Sequence, residues 1–373
     1  MDTFLRGFLH ALERRATVIR DRLAAIPFDP DLSAHALDAY QEAESLRREA
    51  ANLLGDPTLG VPTLLGNHLR VAQEIEQRAA LVESYALPFL ERYDDRDRRL
   101  TRLCARLATQ VAWPLPPPLV HTSSNQYYWT LAKLNLICVP AVDDASLLRW
   151  PDLCHELGHI LMDRHAAVLV GPFLPHLVAY IESEKRRVRN LQRPVGYVAL
   201  YDRLLAQWLR SWVLEFVGDV VATYLVGPAF GWQHIQLCAG GGKLVYLPAL
   251  ADISTHPADE ARLRGIITTL TAMGAPGTPE LGAALNTYIT LSGQVLPPDY
   301  NVCYPDTLLS RLAQTVVAGC RSLGLRGYDV IPSPDKDVAA LIGEAWIRFR
   351  ADSASYGAWE QVELERLWNE ILP

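Results

Sequence analysis

The sequence has no excess of positive charge, no Cys-x-x-Cys pair and no clean run of about 20 apolar residues, the length a bilayer span needs. Each absence removes a class of function. Lys and Arg number 35 against 42 Asp and Glu, for a formal net charge of −7. A phosphate backbone calls for clustered cations, so nucleic acid is not the expected partner. The longest basic run, Glu184-Lys185-Arg186-Arg187-Val188-Arg189, sits beside acidic residues in a helical pattern and reads as a solvated helix face. The six cysteines (Cys104, Cys138, Cys154, Cys238, Cys303, Cys320) are scattered, which suits neither a disulfide framework nor a thiolate zinc site. Free thiols fit a reducing compartment. The first residues lack a basic stretch followed by an apolar one, so no secretory signal is read and the expected location is cytoplasmic. Two apolar stretches are interrupted by charge, one (Leu157 to Ile181) by Asp163, Arg164 and His165, the other (Trp212 to Trp232) by Glu215 and Asp219. An acidic pair one turn apart is costly in lipid, so no membrane span is expected and the protein reads as soluble.

What is present is an ordinary globular composition. Half of the 373 residues are hydrophobic and 21% are charged, enough for one large or two ordinary domains. The pattern predicts a mainly α protein with a small β-sheet, an α+β arrangement. Residues 1–112 show helical periodicity, as at Leu5, Phe8, Leu9 and Leu12, with breaks near Pro27-Phe28-Asp29-Pro30 and Gly55-Asp56-Pro57. The stiff segment Trp113-Pro114-Leu115-Pro116-Pro117-Pro118 marks a boundary. Two β segments follow, Gln126-Tyr127-Tyr128-Trp129-Thr130 and Leu134 to Val139. From about residue 146 the chain is again mostly helical, with loops expected at Gly240-Gly241-Gly242, Leu296-Pro297-Pro298 and Ile331-Pro332-Ser333-Pro334. The expected organisation is an N-terminal helical region (1–112), a core (119–275) and a C-terminal helical region (276–373).

Residues 155–159 read His-Glu-Leu-Gly-His. Residues four apart share a helix face, so His155 and His159 can aim imidazole nitrogens at one ion, with Glu156 beside them but not ligating. Pro151 and Asp152 suit the first turn of that helix, and Leu153, Leu157, Ile160 and Leu161 form an apolar stripe opposite the histidines. A helix expected over Leu205–Val226 carries Glu215 and Asp219, nearly its only charges. Buried carboxylates need a partner. A metal suits Glu215, with pairing to Arg210 as the alternative, and Asp219 can accept the second N–H of a ligating histidine. In Thr255-His256-Pro257-Ala258-Asp259-Glu260-Ala261-Arg262, Thr255 or His256 is expected to cap a helix with Pro257 at its first position. His256 could then donate to an oxyanion, and Arg262 could orient it or bind a substrate carbonyl or carboxylate. Tyr127, Tyr128 and Tyr224 are further oxyanion candidates. Cys154 reads as a core residue, and the other histidines, His234 among them, lack ligand spacing.

Taken together, His155-Glu156-Leu157-Gly158-His159, Glu215-x-x-x-Asp219 and His256-Pro257-x-x-x-x-Arg262-Leu263 resemble the gluzincin metallopeptidases, in an order similar to that of the CaaX prenyl endopeptidase-like branch. The similarity covers residues 120–265. It implies a zincin-like metallopeptidase core and one zinc ion per chain, held by His155, His159 and Glu215. It further implies Glu156 as general base, Asp219 behind the ligands, and a peptide or protein substrate lying along an edge strand that ends at Val139. Two alternatives stay open. One is a zinc protein that cleaves nothing, or only a dedicated partner bound through the N-terminal helices; the other is a hydrolase of a different amide.

Overall fold

The computed structural model describes residues 2–27, 29–124, 127–141, 145–193, 195–241, 245–246, 255–275, 278–329 and 337–371. Phe28, Gln126, Gly242 and the segment 331–334, singled out above, lie outside them. The protein is mainly α-helical with one small mixed sheet.

Helices α1 (Asp2–Ala24), α2 (Ser33–Leu54) and α3 (Leu65–Leu81) pack side by side, and α3 runs through a π-helical turn, Val82–Ala86, into α4 (Leu87–Arg92). Their apolar stripes meet in one cluster, with Leu9, Leu12 and Ile19 against Ala43, Leu46, Ala72 and Ile75. The alanines let the helices approach closely. Helix α5 (Asp95–Gln110) belongs elsewhere: Leu100, Leu103, Cys104 and Leu107 face the larger cluster that continues to the C-terminus. The smaller cluster also takes in Leu119, Leu136 and Cys138 from the sheet, so the two cores interleave along the chain. A capping box starts α5, with Asp94 accepting from the N–H groups of Arg96 and Asp97. Asp97 also accepts from Thr122 N–H at 2.8 Å and its hydroxyl at 2.9 Å, which ties α5 to the sheet.

The sheet has strand β1 (Leu119–Ser124), β2 (Trp129–Leu131) and β3 (Leu136–Pro140) in the order β1-β3-β2. β3 is parallel to β1 and antiparallel to β2. The strand ending near Val139 is therefore central, with both edges paired, and the expectation that it lies at the edge is wrong. The reason is β1. Its second half, His121-Thr122-Ser123-Ser124, carries little apolar signal, so the sequence does not announce a third strand that occupies the other side of β3.

The larger core is organised by two helices that cross at its centre, α6 (Pro151–Leu169) and α9 (Val213–Val226). Helix α7 (Leu174–Asn190) leads to α8 (Val195–Gln207), which joins α9 through a second π-helical turn, Trp208–Trp212. That turn buries Trp208 and Trp212 against Phe216 and Tyr304. Helix α10 (Pro228–Gly241) follows Gly227, whose φ of +60° allows the sharp change of direction. Gly240 and Gly241 finish this helix rather than forming the expected loop. Around the crossing pack α11 (Asp259–Met273), α12 (Thr278–Ser292), a short α13 (Tyr300–Cys303), α14 (Asp306–Ser322), α15 (Val338–Ala351) and α16 (Ser353–Ile371). Among the described residues no single helix is long and apolar enough to cross a membrane; the segments 147–169 and 174–190 reach that hydropathy only together and are bent by 78° at their junction.

Candidate metal centre

Pro151 takes the first turn of α6, as its fixed φ and missing N–H favour. Every residue from Pro151 to Gly158 is buried, and the histidine side of the helix meets solvent only through a cleft. The polar residues it carries must therefore be satisfied inside the protein. His155 and His159 stand one turn apart with ring centroids 4.6 Å from each other and planes at 86°. Glu215 and Asp219, one turn apart on α9, face them. Nε2 of His155 is 3.6 Å from Glu215 Oε2, and Nε2 of His159 is 3.8 Å from Glu215 Oε1. In a tetrahedral zinc site, bonds of about 2.0–2.2 Å put neighbouring donors about 3.3–3.6 Å apart. Each imidazole stands near this spacing from Glu215, His155 from Oε2 and His159 from Oε1, while the three donors close enough together to hold one ion are those of His155, Glu156 and His159.

Two glycines make this approach possible. Gly158 and Gly218 meet where α6 crosses α9: a Cβ on Gly158 would lie 2.7 Å from the Gly218 Cα, and one on Gly218 would lie 2.6 Å from the His155 ring. Each glycine stands three residues after a candidate ligand, His155 or Glu215. That shared offset was visible in the sequence but carries meaning only once the helices are seen to cross there.

Behind the donors lies an ordered polar chain. Nδ1 of His155 is 3.0 Å from Asp219 Oδ1, leaving Nε2 turned toward Glu215. Asp219 accepts from Arg262 Nε at 2.8 Å and Nη2 at 2.6 Å, a two-point grip that fixes the carboxylate. Arg262 Nη1 lies 3.7 Å from Glu215 Oε2. Burial alone lowers the pKa of His155, but its contacts with Asp219 and Glu215 raise it to about 10. Burial and the adjacent His155 push His159 down to about 3. Burial works against ionisation of Glu215, yet His155 and Arg262 hold it down at about 2. Glu156 is moved the other way, upward, by burial. Its Oε2 is buried with no hydrogen-bond partner among the described residues, and the side chain is grouped with both imidazoles.

The centre opens into a cleft of about 580 Å³. Tyr127, Tyr128, Trp129 and Thr130 line it from the sheet side, His155, Glu156, His159 and Met162 from α6, and Leu214, Glu215, His256 and Arg262 from α9 and the start of α11. The strand at the cleft is β2, one of the two edge strands. Tyr127 and Tyr128 are thus both placed at the site. Tyr224 is not: its hydroxyl donates to the Leu325 carbonyl at 2.9 Å, away from the cleft. Nine residues beyond Glu215 on an α-helix is half a rotation away, so Tyr224 faces the opposite side of α9. Arg262 is committed to Asp219 rather than to orienting His256. The cap of α11 is Ala258, so Thr255 and His256 precede the helix and Pro257 is not its first residue. His256 still reaches the centre, with Nε2 3.7 Å from Glu215 Oε2. Glu215 faces these partners and not Arg210. Cys154 is fully buried, and burial pushes its thiol well up, as suits a core residue.

Asp152 is a residue of the site that sequence reasoning assigned only to the helix dipole. It is buried, lines the cleft, and accepts from Gln233 Nε2. Burial raises it to about 7, against the lowering influence of the Tyr127 hydroxyl and His155. Its signal was the i, i+3 spacing to His155, which places it on the same helix face. Comparison with known proteins gives no likeness to set beside this geometry: no protein-family model, no curated protein and no solved structure matches the chain.

Proposed function

We propose that the chain is a zinc-dependent peptidase of the gluzincin type, with His155, His159 and Glu215 as ligands and Glu156 as general base. The observation that carries this reading is the approach of two imidazoles to one carboxylate beside a second, buried carboxylate, one oxygen of which, Glu156 Oε2, has no hydrogen-bond partner among the described residues. A purely structural zinc fills its positions with ligands and has no use for a spare acid.

His155, His159 and Glu215 would hold the zinc ion, which would supply polarisation of a scissile carbonyl and a more acidic bound water. The chain's own residues do the rest. Glu156 takes the proton of the attacking water and returns it to the leaving amine, a transfer its place beside both imidazoles allows. Asp219, gripped by Arg262, holds His155 in the orientation that presents Nε2. His256 and the hydroxyls of Tyr127 and Tyr128 are the donors in the cleft available to a developing oxyanion. The free edge of β2 gives an extended peptide a backbone to pair with, and Thr130 brings that edge next to Glu156.

The test is the Glu156→Gln variant, assayed on a peptide library with its metal content measured. It should retain zinc and lose turnover by about 10²–10⁴-fold. A variant that cleaves as fast as the parent removes Glu156 from its role. A zinc-loaded parent that cleaves no member of the library favours the reading in which only a dedicated protein partner is bound or cut.

A further inference from the structure

Away from the cleft, three side chains with metal-ligating atoms meet in the interior. His234 and Cys238 stand one turn apart on α10, and Asp259 is the first residue of α11. Their donor atoms all lie within 4.8 Å of one another, and all three residues are buried. The i, i+4 spacing aims the imidazole and the sulfur at a common point, and the fold of α11 against α10 brings a carboxylate to it. Tyr288 of α12 faces the same group, its phenol pushed up to about 12 by burial and by Cys238 and Asp259. Among the described residues, only the cleft offers a comparable cluster, and no other cysteine takes part in one. The sequence passes over His234 and Cys238 because their partner is 21 residues further on and on another helix.

We propose that His234, Cys238 and Asp259 form a second zinc site that joins α10 to α11. A thiol, an imidazole and a carboxylate in one dry place are a mixed S/N/O set that favours zinc over calcium or magnesium. Cys238 binds as the thiolate and its proton leaves to solvent. Neighbouring donors around zinc stand about 3–4 Å apart, and the three donors here already lie within 4.8 Å of one another. The consequence reaches the cleft. Asp259 lies three residues after His256, so an ion that anchors Asp259 to α10 also fixes where His256 stands over Glu215. This site does not depend on the peptidase reading, and a thiolate ligand distinguishes it from the first centre, which has none.

The experiment uses the full chain, stripped of metal, reconstituted with Zn²⁺ or Co²⁺ and dialysed. Two zinc equivalents are expected for the parent, one for Cys238→Ser, and one for the double variant His155→Ala/His159→Ala. The cobalt-loaded parent should show a near-ultraviolet thiolate-to-cobalt charge-transfer band, kept by the double variant and lost in Cys238→Ser. Absence of that band in the parent overturns the proposal whether or not any variant folds. So does a folded Cys238→Ser variant that keeps the band or the parent's zinc content. A single equivalent that survives in the double variant and disappears with Cys238 upholds this site while removing the metal from the cleft.

Discussion

The N-terminal helices and the α6–α9 crossing handle charge in opposite ways. In the first, ion pairs sit at the periphery: Arg78 meets Glu42 at 2.7 Å and Glu49 at 2.8 Å with its side chain 35% exposed. Alanine, leucine and isoleucine fill the interior. In the second, the interior itself is charged. Asp219 is 1% exposed and Arg262 11%, and around them stand His155, His159, Glu156 and Glu215 with nearly all their polar atoms inside. Exposed pairs contribute little to stability because water screens them and long side chains lose freedom in making them. Buried charges cost several kcal/mol each unless every one is matched. A fold that concentrates so many of them at one helix crossing spends stability there, which the proposed zinc centre and its base would account for.

Three substitutions sharpen or break that contrast. The largest effect is expected from Arg262→Met, which leaves the Asp219 carboxylate buried without its two-point partner. Loss of one member of a buried pair costs about 3–5 kcal/mol, to be read from urea denaturation beside the parent. A loss below about 1 kcal/mol would show that Asp219 does not need Arg262 and that this interior is less costly than it looks. Next is Gly158→Ala. The added methyl meets the Gly218 backbone, which has no flexible end to move aside, so the helices must separate. Overpacking of this kind costs about 1–3 kcal/mol, and zinc affinity should fall about 10–100-fold, as it does when the groups that orient ligands are disturbed. Competition with a chromophoric chelator measures the second quantity; unchanged affinity would mean that the crossing does not set the donor geometry. The smallest effect is expected from Arg78→Ala in the N-terminal helices, about 0–1 kcal/mol in the same denaturation experiment. A cost equal to that of Arg262→Met would erase the distinction between the two regions.

Much of the centre was legible before any coordinates. The spacings His155/His159 and Glu215/Asp219 are helical repeats, and helix geometry alone puts each pair on one face. Tyr224 could have been set aside by the same arithmetic. Asp152 was misread because a carboxylate at a helix start has a sufficient local explanation in the dipole, and nothing local shows that the start of α6 is buried.

What the sequence by itself determined is local: which segments are helical, which donors share a turn, and that the composition suits a chain of mostly buried helices with one small sheet. Tertiary structure alone decided that β3 is central and β2 the free edge, that α5 belongs to the larger core, that Arg262 grips Asp219, and that His234 and Cys238 meet Asp259. The physical reason is range. Backbone geometry repeats over a few residues, so periodicity can be read along the chain, whereas the partner of a strand edge or a buried charge is chosen by packing between segments far apart in sequence.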